Sequence, residues 1–411
     1  MDKLAEFISQ HMSDDTARLI LDRAKWPEID MDLAVSCIES RRKLKGKVKE
    51  WYENPDLIFP AKLSAEQCSS SATATYKADL ARSIASRCGK ESWTIADLTG
   101  GLGVDSWFFS KKADKVLYNE MQEALCNAAI RNFRTLGCQN ISVSCMKAES
   151  GRTGVLLDGF SPDIVFMDPA RRGEGGRKVF LLEDCSPDVL TLKDEIFHHC
   201  RNMLLKLSPM ADISMVCERL GKQCREVHVV AAGGECKELL IWMDREWEGE
   251  YTVSAVELPG DYPETEAVTL CFSSSSEKSA IPSASSSGSY LFEPGKALMK
   301  AGAFNTVSEH FGIGKLGSST HYYLTDDEEK ARMLMRYGKV FKVLESHPLD
   351  KRSMKDAGKR FPKADVTARN IPMTSEMLRK KIGCSSGEGV HLFGLRSDKE
   401  GALLLITDRM I

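Results

Sequence analysis

Residues 94–106, Thr-Ile-Ala-Asp-Leu-Thr-Gly-Gly-Leu-Gly-Val-Asp-Ser, constrain the fold more than any other stretch of this chain. Ile95, Ala96 and Leu98 are short and apolar, as a buried strand requires. Gly100, Gly101 and Gly103 then crowd one turn, and an amphipathic segment follows. Glycines at such a turn admit positive φ and a close approach of backbone to ligand. Amide groups opening the following helix face outward as donors. Asp97, at the strand's end, narrows the chemistry, because a carboxylate repels a phosphate but serves an amino or hydroxyl group. The next apolar run, Lys-Val-Leu-Tyr at 115–118, ends near Glu120, at the spacing expected for a ribose-hydroxyl acceptor.

From about residue 92 the pattern alternates strand and helix, which predicts an α/β fold with a doubly wound, mostly parallel sheet. A helix is expected over 121–136, with Ala124, Leu125, Ala128, Ala129 and Phe133 on one face. Ile141, Val143 and Cys145 mark a third strand and residues 163–167 a fourth. Residues 202–209, carrying Lys206, read as the fifth, 226–232 as the sixth and 239–243 as the seventh. The fourth runs into Asp168-Pro169-Ala170-Arg171-Arg172 at the carboxyl edge, where ligands of open α/β sheets sit. Pro169 fixes φ and ends the ladder, which would orient the Asp168 carboxylate, and Arg171 and Arg172 could grip a phosphate or carboxylate. Two blander readings compete. A glycine turn occurs in α/β proteins without any cofactor, and Asp-Pro is a common way to end a strand. A nicotinamide fingerprint would read Gly101-x-Gly103-x-x-Ser106, so its third glycine is missing.

Thirteen cysteines look numerous, yet none pair as Cys-x-x-Cys and the count is odd. Buried thiols in a reducing compartment fit better than disulfides or a structural metal, and no metal site is expected. No apolar run approaches a membrane span, and the acidic opening Met-Asp-Lys-Leu-Ala-Glu is unlike a signal peptide. The expectation is a cytoplasmic protein. Charge is uneven along the chain. Residues 331–411 hold 17 basic and 9 acidic side chains, a formal +8, against −11 for residues 1–330. A basic tail suggests a polyanionic partner, or simply a solvated surface. The expected divisions are a helical domain at 1–88, the α/β domain at 89–272, and a linker at 273–289, where ten of seventeen residues are serine. A small α/β unit at 290–330 and a basic α+β domain at 331–411 follow. The basic run 41–47 reads as a helix end or a nucleic-acid contact. Cys185 is the one thiol near a strand end where a carbon-5 pyrimidine mechanism could use it, and a buried cysteine is the plainer reading.

The pattern Asp97-x-Thr99-x-Gly101-x-Gly103 with Glu120 resembles the first two motifs of class I S-adenosylmethionine-dependent methyltransferases. Glu66-Gln67-Cys68-Ser69-Ser70, Asp168-Pro169-Ala170-Arg171, Ala368-Arg369-Asn370-Ile371-Pro372 and Leu378-Arg379-Lys380-Lys381 extend the resemblance to a bacterial family of these enzymes with a C-terminal THUMP-like domain. The resemblance implies a seven-stranded sheet with a reversed edge hairpin, and a cofactor set of Asp97, Thr99, Gly100, Gly101, Gly103, Asp105, Glu120 and Met121. Asp97 and the glycines would lie near the methionine end, Glu120 on the ribose, and Ala148 or Glu149 near the adenine amino group. Gln67, Ser69, Ser70 and Lys77, in the lead-in helix, become further candidate contacts. The fourth-strand motif is closest to the Asp-Pro-Pro-Arg of the tRNA uracil-5 enzymes, with Ala170 in place of the second proline and no aromatic residue after it. Asp168, Pro169 and Arg171 would face the acceptor. RNA is the implied substrate, delivered through Arg369, Arg379, Lys380 and Lys381. The alternatives are a cofactor- or RNA-binding module with little chemistry, and a methyltransferase for a protein or small molecule.

Overall fold

The computed structural model describes residues 3–171, 182–387 and 389–410. The chain forms two compact units, residues 1–227 with 237–250 and residues 228–236 with 251–411.

The first unit begins with six helices: α1 (Lys3–Gln10), α2 (Thr16–Leu21), α3 (Met31–Leu44), α4 (Lys49–Glu53), α5 (Lys62–Gln67) and α6 (Ser71–Arg87). Asp15, Asp30 and Ser70 cap α2, α3 and α6 with side-chain oxygens that accept from otherwise unpaired amides. In the basic run 41–47 the side chains of Arg42, Lys43 and Lys45 are exposed, whereas Arg41 turns inward and Lys47 is half-buried. Arg41 is buried, and its guanidinium donates to the carbonyls of Tyr52 (2.9 Å), Asn54 (2.6 Å) and Leu57 (3.0 Å). Arg42 donates to Met12 O at 2.8 Å, and the Lys47 ammonium donates to Glu66 O. These cations satisfy loop carbonyls, a use that charge counting along the sequence does not reveal.

Seven strands follow: β1 (Thr94–Asp97), β2 (Lys115–Glu120), β3 (Ile141–Cys145), β4 (Ile164–Met167), β5 (Asn202–Leu207), β6 (Cys224–Ala232) and β7 (Glu235–Asp244). They stand in the order β3-β2-β1-β4-β5-β7-β6, with β1 to β5 parallel and β7 antiparallel to β5. The connecting helices are α7 (Val104–Ser110), α8 (Glu123–Thr135), α9 (Arg152–Phe160), α10 (Val189–His199) and α11 (Ile213–Leu220). Every residue of β4 is buried, as a central strand covered on both faces must be. The order reverses at β1, with β2 on one side and β4 on the other, so a crevice opens at their carboxyl ends.

In the second unit β8 (Thr252–Leu258) and β9 (Val268–Ser273) pair antiparallel. Their signal was the β-branched residues Thr252, Val253 and Val256 within a short stretch free of glycine and proline. The serine-rich stretch is not bare linker. It forms α12 (Ser274–Ser279) with a Ser273–Ser276 capping box. Glu277 on this helix accepts from the amides of Asn305 (2.7 Å) and Thr306 (2.9 Å).

A second sheet comprises β10 (Tyr290–Pro294), β11 (Gly314–Lys315), β12 (Tyr323–Thr325), β13 (Gly338–Pro348), β14 (Asp365–Arg369), β15 (Val390–Ser397) and β16 (Gly401–Arg409), in the order β11-β12-β10-β13-β16-β15-β14. The ladder from β10 to β13 joins Tyr290 to Lys342, so one sheet spans the expected division at 330/331. Helices α13 (Lys296–Ala301), α14 (Asn305–Phe311), α15 (Glu328–Leu334), α16 (Lys351–Arg360) and α17 (Ser375–Ile382) complete it. Leu291, Phe341, Phe393 and Leu405 form one core cluster, and Met354, Leu378, Leu392 and Leu404 another. Among the described residues no helix is long and apolar enough to cross a membrane.

Candidate functional site

The site grows from the end of β1. Asp97 is 1% exposed; its Oδ2 accepts from Ser106 Oγ at 2.6 Å and its Oδ1 from Thr99 N at 3.0 Å. Burial pushes this carboxyl up to about 7; the Ser106 hydrogen bond pulls against that, and the negative charge of Asp105 adds to it. The glycine turn is clamped from β2. A Cβ on Gly100 would fall 2.2 Å from the Tyr118 ring, so a side chain has no room there. Gly101 and Gly103 lie at φ 53° and 93°, in the left-handed region. The Tyr118 hydroxyl donates to Gly101 O at 2.6 Å, while Gly101 N donates to Glu120 Oε2 at 3.0 Å. Glu120 Oε1 accepts from the amides of Met121 and Gln122, both at 2.9 Å. The carboxylate at the end of β2 is thus held by backbone.

Asp168 begins the opposite wall, after β4. Its amide donates to Thr99 Oγ1 at 2.6 Å, which ties the ends of β1 and β4 together. Its Oδ2 lies 2.5 Å from Lys206 Nζ on β5. Burial would lower the Lys206 pKa, but Asp168, Glu238 and Asp105 outweigh it and hold the ammonium far above its ordinary range. Beside the turn, Lys77 is fully buried and donates to both oxygens of Glu238 (2.8 and 2.9 Å) and to Ser69 Oγ (2.9 Å). Ser69 in turn donates to Asp105 Oδ2 at 2.9 Å.

A cavity of about 370 Å³ lies between these walls. It is lined by Asp97, Thr99, Gly100, Gly101, Gly103 and Asp105 from β1 and the turn, by Glu120 and Met121 after β2, by Ala148 and Glu149 after β3, and by Asp168 after β4. Eleven of the residues singled out from sequence therefore share one space. Gln67 lines it too, whereas Ser69 and Lys77 stand behind it and Ser70 caps α6. Pro169 is buried and does not line the cavity. Arg171 pairs through its backbone with Cys185, its side chain is outside the described residues, and so is Arg172. Cys185 is fully buried. Arg369 ends β14, and Arg379, Lys380 and Lys381 form the last turn of α17, all in the second unit. Sequence reasoning missed Gln122, Asp188, Tyr118 and Glu238. Asp188 lines the cavity and caps α10, accepting from Leu190 N at 3.0 Å. Ser-Pro-Asp ahead of an apolar run is a helix-start signal that could have found it. Among the described residues no cluster of His, Cys, Asp and Glu could hold a metal.

Sheet order and crevice define the class: the chain has the class I S-adenosylmethionine-dependent methyltransferase fold. Two family models match its C-terminal part, a ferredoxin-like domain over residues 290–331 and a THUMP domain-like family over residues 338–409. A crystal structure of a candidate methyltransferase from Porphyromonas gingivalis W83 is similar across the whole chain. The two share 28% identity at a TM-score of 0.84, over 99% of this chain and 98% of that one. An rRNA methylase from Streptococcus thermophilus matches 40% of this chain and 94% of its own at 11% identity and a TM-score of 0.29. A SAM-dependent methyltransferase from Agrobacterium tumefaciens matches 42% and 61% at 15% identity and 0.30. Likeness as low as that of these last two carries no functional weight. No curated protein matches the sequence.

Proposed function

We propose that this protein transfers a methyl group from S-adenosylmethionine to RNA. The observation that carries the first half is the shared cavity, in which the glycine turn and Glu120 face Asp168. The residues fit the cofactor. A Cβ on Gly101 would meet only Thr99 O, at 3.8 Å, so this part of the turn is an open cradle that a ligand can fill. Glu120 uses three of about four acceptor positions on backbone amides, which leaves one for a hydroxyl. Asp97, Asp105, Glu120 and Asp168 make the lining acidic, and Lys147, its one Lys or Arg among the described residues, is paired with Glu149 at 2.7 Å. Such a wall suits a cation and opposes a pyrophosphate, which weighs against a nicotinamide dinucleotide.

Asp97, Gly101, Gly103 and Glu120 would hold the cofactor, with Ala148 and Glu149 at its base; when bound, it supplies an electrophilic methyl group. Asp168 accepts a hydrogen bond or proton from the acceptor, in an orientation set by Pro169, Thr99 and Lys206. Rate enhancement then rests on positioning. The RNA half of the reading is supported by the THUMP-like match and by the +8 charge of residues 331–411. The acidity of the cavity favours one second reading, an amine-bearing protein or metabolite as acceptor.

Calorimetry with S-adenosylmethionine and with a nicotinamide dinucleotide tests the cofactor; tighter binding of the dinucleotide would overturn it. Mass spectrometry of modified nucleosides in RNA from a deletion strain tests the acceptor, where the loss of one methylated nucleoside is expected.

A further inference from the structure

Two lysines, one buried and one largely so, stand behind the site without lining its ligand space. Lys77 on α6 is fully buried, and the Lys206 side chain on β5 is 12% exposed. Neither lines the cavity, yet each holds an acid that does: Lys77 lies 3.3 Å from Asp105 Oδ1, and Lys206 lies 2.5 Å from Asp168 Oδ2. Glu238 on β7, 3% exposed, links them. It accepts two hydrogen bonds from Lys77. In the β5–β7 ladder Lys206 stands opposite Leu240, so Glu238 is its diagonal neighbour on the same face.

Burying charges of this kind is expensive, and apolar side chains of similar volume would often be as stable or more so. Stability alone therefore gives little reason for two lysines and three acids in this place. What the arrangement does accomplish is geometric. Asp105 stands in the first turn of α7, directly after the glycine turn, and Asp168 stands across the cavity after β4. Each carboxylate is held by its own ammonium, and Glu238 acts on both, through hydrogen bonds to Lys77 and through its charge, at longer range, on Lys206.

We propose that Lys77 and Lys206, joined through Glu238, are positioning residues that fix Asp105 on the cofactor side and Asp168 on the acceptor side. The inference rests on the methyltransferase reading for its activity readout, but its geometry does not depend on the acceptor. The two lysines have separable effects. Lys77 governs cofactor affinity through Asp105, and Lys206 governs the transfer step through Asp168.

The test compares Lys77→Met, Lys206→Met, Lys206→Arg and Glu238→Gln in the full-length protein. S-adenosylmethionine binding is read by calorimetry, transfer by single-turnover assay at saturating labelled cofactor with total RNA, and Asp168 by crystallography. Lys77→Met should weaken cofactor binding about 10- to 100-fold, the size of one hydrogen bond to a charged group, while transfer at saturation changes less. Lys206→Met should leave binding within about 3-fold and slow transfer by about 100-fold or more, the scale of a displaced acid–base group. Lys206→Arg should recover much of that loss. In crystals of Lys206→Met the Asp168 carboxylate should leave its place. An unmoved carboxylate, or both lysine variants changing the same parameter, would overturn the proposal. Should Lys206→Met not fold, Glu238→Gln decides: it should alter binding and transfer together, and wild-type values for both would end the idea. If the wild-type protein methylates no RNA, the acceptor assignment fails, while the calorimetric and crystallographic outcomes still judge the positioning roles.

Discussion

The cavity of the first unit and the basic turn of α17 in the second use charge in opposite ways. Around the cavity the acids at the strand ends are buried or half-buried and bound to partners. Asp97, Glu120 and Asp168 each have named partners within 3.0 Å. On α17, Lys380 and Lys381 are exposed, and Lys380 pairs with Glu376 one turn away, at 2.9 Å. A buried charge has one geometry and a high cost if a partner is removed. An exposed pair is worth little and is screened by salt. Single substitutions should therefore act strongly and specifically in the first place, and weakly and additively in the second.

The largest expected effect is that of Asp168→Ala. It should cut methyl transfer about 100-fold or more and leave S-adenosylmethionine binding largely intact. Wild-type transfer by the mutant would reduce Asp168-Pro169 to a turn and remove the contrast on the acceptor side. Cys185→Ser, at a buried thiol, should leave transfer unchanged in the same assay.

Glu120 sharpens the cofactor side. Glu120→Ala should lose about 1.5–3 kcal/mol of cofactor binding, and it also strips three backbone amides of their acceptor. Glu120→Gln keeps one oxygen for those amides and should lose less. Equal losses by calorimetry would show that the turn, rather than the ligand interaction, was being measured.

A pH experiment comes next. Asp97 is raised to about 7 in the folded protein, above its unfolded value near 3.9. Between those values the folded state binds more protons, so stability should fall as pH rises through this window. Asp97→Asn should flatten that slope in denaturant titrations. Cofactor binding should run the other way: the ionised carboxylate attracts a cation, so wild-type affinity should climb from about pH 6 to about 8, and the Asn variant should not follow. Identical pH profiles for the two proteins would mean that Asp97 is already ionised when buried.

The smallest effects belong to the tail. Reversing Arg379, Lys380 and Lys381 singly should change RNA affinity slightly, and reversing all three should lower it while flattening its salt dependence. The salt slope should flatten by about 0.7 log units per log unit of salt for each single-strand phosphate no longer neutralised. A single tail substitution that abolished binding would break the contrast, because it would reveal a buried, partner-dependent interaction.

Much of this molecule was legible in the sequence. Thr94 to Asp97, the three glycines and Glu120 are local in sequence, so strand, turn and helix followed from apolar runs, positive-φ demand and spacing. The resemblance to class I methyltransferases then pointed to Ala148, Glu149 and Asp168, which follow the carboxyl ends of strands in one parallel sheet. Other features depend on partners far along the chain, and periodicity carries no information about those. Arg41 and Lys47 looked like solvent-facing cations and instead serve carbonyls of neighbouring segments. The serine-rich stretch looked like a tether and became a helix whose Glu277 reaches the amides opening α14. Gly100 is required by the Tyr118 ring, where β1's turn packs against β2. Lys77 and Glu238 are 161 positions apart, and only the packing of α6 against the end of β7 brings them together. Local rules fixed where backbone and apolar side chains go, because each acts over a few residues. Which charges are buried, and against which partners, was decided by the tertiary fold, because electrostatic pairing depends on distance in space and on exclusion of water.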